Sequence, residues 1–244
     1  MEKEEYRNIF NNEETHFYYV ATHSLIIDLV KQYAPQKKDM MILDAGCGTG
    51  LLGVKLQSLG KVKGVDISET ALAFARKRGL EVYKSDVCRL PFKKNSFDVI
   101  VSIDVLYHKR VFDDIRALKE FYRVLKPGGI AIVRVPALKW LKRSHDKIVH
   151  SRKRYEKNEL QYKLQVVGFV IQKLSFVHAT LLPVVILSYM VERLLTAQMS
   201  TSSITKLPKS INQFLKVLLY VESIVLQYFN LPFGIGVIAV ARKS

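Results

Sequence analysis

The fold is decided by residues 40–53, which read MMILDAGCGTGLLG. A short apolar run ends at an acid, Asp44, and three glycines then follow at every second position. Glycine lets the backbone turn tightly and lets a ligand approach closely. The apolar run predicts a buried strand, and GLLGVKLQSLG at the end of the glycines predicts a helix. The stretch therefore predicts a strand, a ligand-binding turn and a helix.

The chain around this stretch continues the alternation of strands and helices as far as residue 135. Strands are predicted at KVKGVDIS, LEVYKSDV, FDVIVSIDV and GIAIVRV. Helices are predicted at ETALAFARKRG, where Ser68 can be the N-cap, and at VFDDIRALKEFYRVLKPGG. This order indicates right-handed crossovers and a mostly parallel sheet.

The two ends of the chain complete the predicted domain. Residues 14–34 indicate an aromatic-rich helix, and GIGVIAVARKS indicates a last strand. Residues 181–230 indicate two apolar helical stretches around a polar centre. No linker divides the sequence, so residues 1–244 are predicted to form one domain, with an N-terminal lid helix region at 1–38 and a helical insertion at 181–230.

Composition limits the class of protein. Of 244 residues, 49% are hydrophobic and 25% are charged, which is typical of a globular chain. The net charge of +16 favours an acidic partner, such as nucleic acid, anionic lipid or a phosphorylated substrate, although many basic proteins have none. The acidic N-terminus is unlike a secretory signal, and two cysteines cannot build a disulfide framework. We expect a cytoplasmic protein.

The spacing of the glycines discriminates between nucleotide ligands. A dinucleotide fingerprint needs a glycine where Leu51 stands, and no Lys-Ser/Thr pair follows to make a P-loop. The remaining pattern, D-x-G-x-G-x-G, resembles the first motif of the class I S-adenosylmethionine-dependent methyltransferases. The stretches VKGVDIS, KSDVCRLPFKKNSFDVIVS and LKPGG resemble later elements of the same family, in the same order. The resemblance covers residues 14–178 and the last strand.

The resemblance implies a three-layer, Rossmann-like α/β fold whose seven-stranded sheet is mostly parallel, with the last strand antiparallel. It also implies S-adenosylmethionine as cofactor, with Asp66 on the ribose hydroxyls and Asp86 on the adenine amino group. A carboxylate suits a vicinal diol because it can accept two hydrogen bonds. In a structural alternative, Asp44 only caps its turn, Asp66 only ends its strand and Cys47 only packs. The cofactor-binding candidates are Asp44, Gly46, Cys47, Gly48, Gly50, Asp66, Ile67, Asp86, Val87 and Ser102.

The end of the fourth strand, SIDVLYH, bears on the methyl acceptor. It lacks the Asn/Asp-Pro-Pro-aromatic motif of enzymes that methylate amino groups of nucleic acids. It is similar instead to the small-molecule and lipid branch, where EVLEH occupies this place. His108 matches the family histidine, whereas Tyr107 replaces an acid. A histidine beyond a strand end is a candidate general base, although it could equally hold only its own loop.

Two further stretches resemble segments of uncharacterised family members. EETHFYYVATHSLI is similar to a lid helix and contributes the substrate-binding candidates His16, Tyr18 and Tyr19, which join Tyr107 and Arg154. SHDKIVHSRKRY contributes the catalytic candidates His145, His150 and Tyr155, which join His108. His145 and His150 are five residues apart and would not stack on a helix, so no metal site is predicted. A capping network for the next helix is the alternative.

The chain beyond residue 133 adds a clue to the partner. Residues 134–163 hold 10 Lys and Arg against 3 Asp and Glu, and two apolar helices follow. These helices could cover the core, pack on each other, meet a second subunit in a homodimer, or lie on a membrane surface. We predict a methyltransferase for a small, amphipathic or acidic molecule or lipid, with oxygen as acceptor. The rivals are an RNA methyltransferase, which the missing motifs disfavour, and a non-catalytic binding protein on the same fold.

Overall fold

The computed structural model describes residues 3–141, 145–194 and 207–244. Seven strands form one sheet in the order β3-β2-β1-β4-β5-β7-β6. The strands are β1 (Met40–Ala45), β2 (Gly60–Asp66), β3 (Glu81–Lys84), β4 (Phe97–Ile103), β5 (Leu125–Pro136), β6 (Phe169–Val177) and β7 (Gly236–Lys243). The first five pair in parallel, and β7 lies antiparallel between β5 and β6. The predicted fold class is confirmed, including the antiparallel last strand.

Helices cover both faces of this sheet. They are α1 (Lys3–Asn12), α2 (Phe17–Tyr33), α3 (Leu51–Leu56), α4 (Glu69–Lys77), α5 (Asp114–Val124), α6 (His145–Ile148), α7 (Lys157–Val167), α8 (Leu182–Leu194) and α9 (Lys209–Tyr228). Alternate residues of β1 and β4 enter different clusters because strand side chains alternate between faces. Leu43 and Ile100 pack with α5 and α7, whereas Ile42 and Val101 pack with α2, α3 and α4.

Local signals account for most element boundaries. Ser68 caps α4 as predicted, since its side chain accepts from the N–H of Ala71. The predicted helix over residues 111–129 was too long at both ends. Asp113 caps the first turn by accepting from the N–H of Arg116, so α5 begins at Asp114. The helix ends at Val124, and the LKPGG stretch belongs to β5.

The two ends of the chain follow the prediction with one addition. Helix α2 occupies most of the predicted 14–34 segment, and the acidic residues before it form α1, which was not predicted. Helices α8 and α9 form the predicted insertion, and most of its polar centre lies outside the described residues. Among the helices that the structure describes, none combines the length and apolarity needed to cross a membrane.

Candidate functional site

A cavity of about 560 Å³ opens at the carboxyl ends of β1, β2 and β4. The strand order reverses between β1 and β4, and ligands of open α/β sheets bind at such a switch point. Its volume is within the usual range for a small-molecule site. The lining includes these predicted cofactor, substrate and catalytic residues: His16, Tyr18, Tyr19, Asp44, Gly46, Cys47, Gly48, Asp66, Ile67, Asp86, Val87, Tyr107, His108 and Arg154.

The glycine loop packs tightly at Gly46 and borders open space at Gly48. The N–H groups of Gly46 and Cys47 both donate to the carbonyl of Val65, which ties the loop to β2. A Cβ on Gly46 would lie 2.2 Å from Cγ2 of Val105, so no larger residue fits there. Gly48 has a φ of +53°, and a Cβ there would meet nothing within 4 Å. The backbone of Gly48 therefore faces open space at the cavity.

Asp66 is held in place at the end of β2. Its Oδ2 accepts from the N–H of Gly48 at 3.0 Å, and its Oδ1 accepts from the N–H of Ser68 at 2.8 Å. Burial raises the pKa of Asp66, and the hydrogen bonds from Ser68 and Gly48 oppose that rise. The carboxylate keeps lone pairs for a ligand, because each oxygen can accept more than one hydrogen bond.

Asp44 is a buried acid of the site whose hydrogen bonding is incomplete among the described residues. It is 2% exposed, and its Oδ2 has no hydrogen-bond partner among the described residues. Burial, and after it the charge of Asp66, raise the pKa of Asp44 to about 7. A buried carboxyl without full compensation is expensive in a folded chain and marks a functional position.

The other cofactor candidates lie around these two acids. Asp86 lines the cavity, and its Oδ1 accepts from the N–H of Cys88 at 2.8 Å. Burial raises the pKa of Cys47 well above its usual range, so its thiol stays protonated beside the sheet. Gly50 precedes α3 without lining the cavity. Ser102 is fully buried and does not line the cavity. Its Oγ has no hydrogen-bond partner among the described residues.

The substrate candidates come from three elements. Tyr18 and Tyr19 project from α2, whose N-cap is His16 through its Nδ1 and the N–H of Tyr18. Arg154 donates twice to Oδ2 of Asp146, from Nε at 3.2 Å and from Nη2 at 3.1 Å. It also donates to the carbonyl of Ala137. The Arg154 side chain is therefore fixed at the cavity wall.

The three catalytic candidates whose side chains the structure describes do not converge. His108 lines the cavity, whereas His150 packs beside it with ring centroids 5.9 Å apart and does not line it. Tyr155 is fully buried outside the cavity, with its hydroxyl 2.7 Å from Oδ2 of Asp114 and 3.2 Å from the carbonyl of Leu106. The side chain of His145 lies outside the described part of the chain.

The ring of His108 has a fixed tautomer. Its Nδ1 accepts from the backbone N–H of Arg110 at 3.1 Å, so the proton of the neutral ring lies on Nε2. Burial, and then nearby positive charge, lower its pKa to about 4. At neutral pH the ring is uncharged and presents a donor at Nε2, which suits loop positioning better than proton removal.

A buried polar network at the cavity was missed from sequence. Arg134 of β5 is 2% exposed and pairs through Nη1 with Oδ2 of Asp104, which follows β4 with a φ of +57°. Nη2 of Arg134 lies 3.3 Å from Nδ1 of His178, whose Nε2 lies 3.5 Å from Oγ1 of Thr22. Arg134 also lies over the ring of Tyr18. The only sequence signal was a charged residue inside the apolar strand GIAIVRV.

A second missed contact ties the N-terminal helix to the glycine loop. Oγ1 of Thr49 donates to Oε1 of Glu13, and that oxygen also pairs with Nη2 of Arg78 at 3.1 Å. Tyr6, Ile9 and Glu13 line the cavity, so α1 covers its cofactor end. Sequence could not show this, because Glu13 and Arg78 are 65 residues apart.

These positions fit S-adenosylmethionine. The Gly48 backbone borders open space, and Asp66 is oriented by its hydrogen bonds. Oδ2 of Asp44 has no hydrogen-bond partner among the described residues, at the place where the cationic methionine end of that cofactor needs negative charge. Among the described residues, no cluster of three or more His, Cys, Asp or Glu is placed to hold a metal ion.

Comparisons with known proteins find similarity to methyltransferases. Residues 43–133 match a family described as a methyltransferase domain. The chain is 35% identical over 149 residues to the probable tRNA methyltransferase 9B of Mus musculus, a match that covers 60% of this chain and 33% of that protein. It is 37% identical over 105 residues to the demethylmenaquinone methyltransferase of Staphylococcus aureus, covering 39% and 43%.

The matches leave much of each relative uncovered. This chain spans about a third of the length of the tRNA methyltransferase 9B proteins that it matches. Among solved structures, a SAM-dependent methyltransferase from Thermotoga maritima aligns over 99% of this chain and 96% of its own, with a TM-score of 0.60 and 23% identity. That likeness shows the shared fold.

Proposed function

We propose that this chain, which carries a class I S-adenosylmethionine-dependent methyltransferase domain, methylates a small molecule that has both a polar or acidic group and an apolar part. The observation that carries the proposal is the composition of the cavity at the carboxyl ends of β1, β2 and β4. It joins the glycine loop and Asp66 at one end to the Arg134–Asp104 pair at the other. Leu181, Val185 and other apolar residues complete its wall.

The chain's own groups perform the binding steps. Bound S-adenosylmethionine supplies an electrophilic methyl group. Asp66 holds the ribose hydroxyls, and Asp86 with the Val87 backbone holds the adenine. Asp44 and the Gly46–Gly48 turn hold the methionine end. Methyl transfer is an in-line displacement, so most of the acceleration comes from holding the acceptor in line with the methyl group.

Asp104 and Arg134 are placed to orient the acceptor. Asp104 lines the cavity with 27% of its side chain exposed, and its Oδ1 has no hydrogen-bond partner among the described residues. Its carboxylate can accept a hydrogen bond from a substrate hydroxyl, and the ion pair with Arg134 fixes the orientation of that carboxylate. This arrangement supports oxygen as the acceptor atom, because a hydroxyl becomes a good nucleophile when an acceptor takes its proton.

A methylated RNA is the second candidate. The likeness to the tRNA methyltransferase 9B proteins and the net charge of +16 favour it. The stretch SIDVLYH at the end of β4 argues against it, because it lacks the Asn/Asp-Pro-Pro-aromatic motif of enzymes that methylate amino groups of nucleic acids. A cytoplasmic location stays a prediction.

Transfer of a tritiated methyl group separates these candidates. The full chain is incubated with labelled S-adenosylmethionine and an extract that is then fractionated into RNA, protein, lipid and polar small molecules. We expect label in the lipid or small-molecule fraction, and none when Asp66→Ala replaces the native chain. Label confined to RNA would overturn the proposed substrate class, and an absence of label in every fraction would favour a non-catalytic binding protein.

A further inference from the structure

Helices α8 and α9 expose an unusual amount of apolar surface. On α8 the exposed residues recur at three- and four-residue intervals: Val184, Leu187, Met190 and Val191. On α9 they recur in the same way over most of its length: Ile211, Phe214, Val217, Tyr220, Val221, Ile224, Val225 and Tyr228. Such spacing places each set on one helix face. The face of α9 is about 30 Å long, since each helical residue rises 1.5 Å.

The opposite side of α9 is fixed to the rest of the protein. Leu219 and Leu226 are buried, and Oε2 of Glu222 accepts from both N and Oγ1 of Thr180. Oδ1 of Asn212 accepts from the N–H of Phe17 at the start of α2. The helix therefore presents its apolar stripe outward as a fixed surface. Contiguous apolar surface of this kind marks an interaction site.

Exposed aromatic and basic residues accompany the apolar surface. The ring of Trp140 packs edge-on against Tyr189 of α8, with centroids 6.1 Å apart, and Trp140 is itself exposed. Trp140 follows Lys139, which is exposed as well. Exposed Arg193 and Lys209 lie on α8 and α9 themselves. An apolar face beside positive charge and exposed Trp and Tyr is the pattern of proteins that lie in an anionic membrane interface.

Charge also favours anionic lipid over a second copy of the chain as the occupant of this surface. A second copy would carry the same net charge of +16, and two such chains would repel each other at low ionic strength. Anionic lipid offers the opposite sign. Helix α8 moreover separates the two environments, because Val185 lines the cavity while Val184 and Leu187 are exposed.

We propose that the exposed apolar faces of α8 and α9, with the exposed cations Arg193 and Lys209 on the same helices, dock this protein on an anionic lipid bilayer. The helices lie in the interface and place the wall of the cavity against the membrane. Docking does not depend on the proposed methyl transfer, because the exposed residues are distinct from those that hold the cofactor.

Vesicle sedimentation tests the proposal. The full chain is mixed with phosphatidylcholine vesicles that contain or lack phosphatidylglycerol. We expect binding to the anionic vesicles that weakens at least fivefold between about 0.1 M and about 0.5 M salt, as the Debye length shortens. We expect Leu187→Ser/Phe214→Ser to lower the partition coefficient at least tenfold. The matched control is Tyr162→Ser on α7, which is 65% exposed compared with 64% for Leu187 and 66% for Phe214. It should change binding less than twofold.

Two results would overturn docking on lipid. One is a failure of the native chain to bind anionic vesicles in low salt. The other is an equal loss of binding in the Leu187→Ser/Phe214→Ser variant and in Tyr162→Ser. A dimer in sedimentation velocity that the double substitution converts to monomer, without vesicle binding, would assign the surface to a second copy. Calorimetric affinity for S-adenosylmethionine should stay the same in all three proteins, which separates this test from that of the methyltransferase function.

Discussion

Replacement of Asp44 by Asn should stabilise the protein, and the gain should grow with pH. The folded chain raises the pKa of Asp44 from its ordinary value of 3.8 to about 7, because the carboxyl is buried beside Asp66. A raised carboxyl pKa means that the folded state binds the proton more tightly than the unfolded state. Ionisation therefore costs stability as pH rises above 3.8, and the cost stops growing above about pH 7.

The expected magnitude follows from the size of the shift. Each pH unit between those two pKa values costs about 1.4 kcal/mol, or roughly 4 kcal/mol in total. Asn keeps the shape of the side chain and removes the titration. For a domain of this size, 1 kcal/mol moves Tm by about 2–4 °C. Asp44→Asn should therefore raise Tm by roughly 8–16 °C at pH 8, and by about a third of that near pH 5.

Thermal unfolding of both proteins across this pH range is the assay. The control is Ser102→Ala, because Ser102 is also buried and does not titrate. On β4 it follows Val101, the residue that pairs with Asp44 of β1. Its effect on Tm should be the same at every pH. An Asp44→Asn gain that is absent at pH 8, or equal at pH 5 and pH 8, would refute the electrostatic account of the site.

Two other substitutions probe the acceptor end. Arg134→Met should destabilise the protein by about 3–5 kcal/mol in denaturant unfolding, because it leaves the Asp104 carboxylate without its buried partner. Arg134→Met/Asp104→Leu should recover most of that loss, and no recovery would contradict the pairing. His108→Asn should keep kcat within about tenfold, because its amide oxygen can still accept from the N–H of Arg110. A loss of a hundredfold or more would instead identify His108 as the general base.

The parts of the fold that were predictable depend on local sequence. Strand β1 and the glycine turn were predicted from a single run of fourteen residues, because burial and tight dihedrals restrict residue type position by position. The Ser68 cap follows from its own side chain. Helix α1 was missed because most of its residues are polar, and because its packing on α4, where Phe10 stacks on Phe74, joins distant parts of the chain.

The acceptor end was predictable only in part. The lid residues Tyr18 and Tyr19 were identified by resemblance, but the network of Asp104, Arg134 and His178 joins three strand ends that are up to 74 residues apart. The role of His108 depends on which ring nitrogen meets the N–H of Arg110, and residue type does not specify that.

The central claim is that the glycine loop and Asp66 bind S-adenosylmethionine, and calorimetric titration tests it most directly. The native chain should bind the cofactor with one site. Asp66→Ala should weaken binding at least tenfold, because a carboxylate that accepts from the ribose hydroxyls contributes about 1.5–3 kcal/mol for each hydrogen bond. Asp113→Ala, at the exposed cap of α5, should bind as the native chain does. Equal affinity in the native and Asp66→Ala proteins, or no binding by the native chain, would contradict the account.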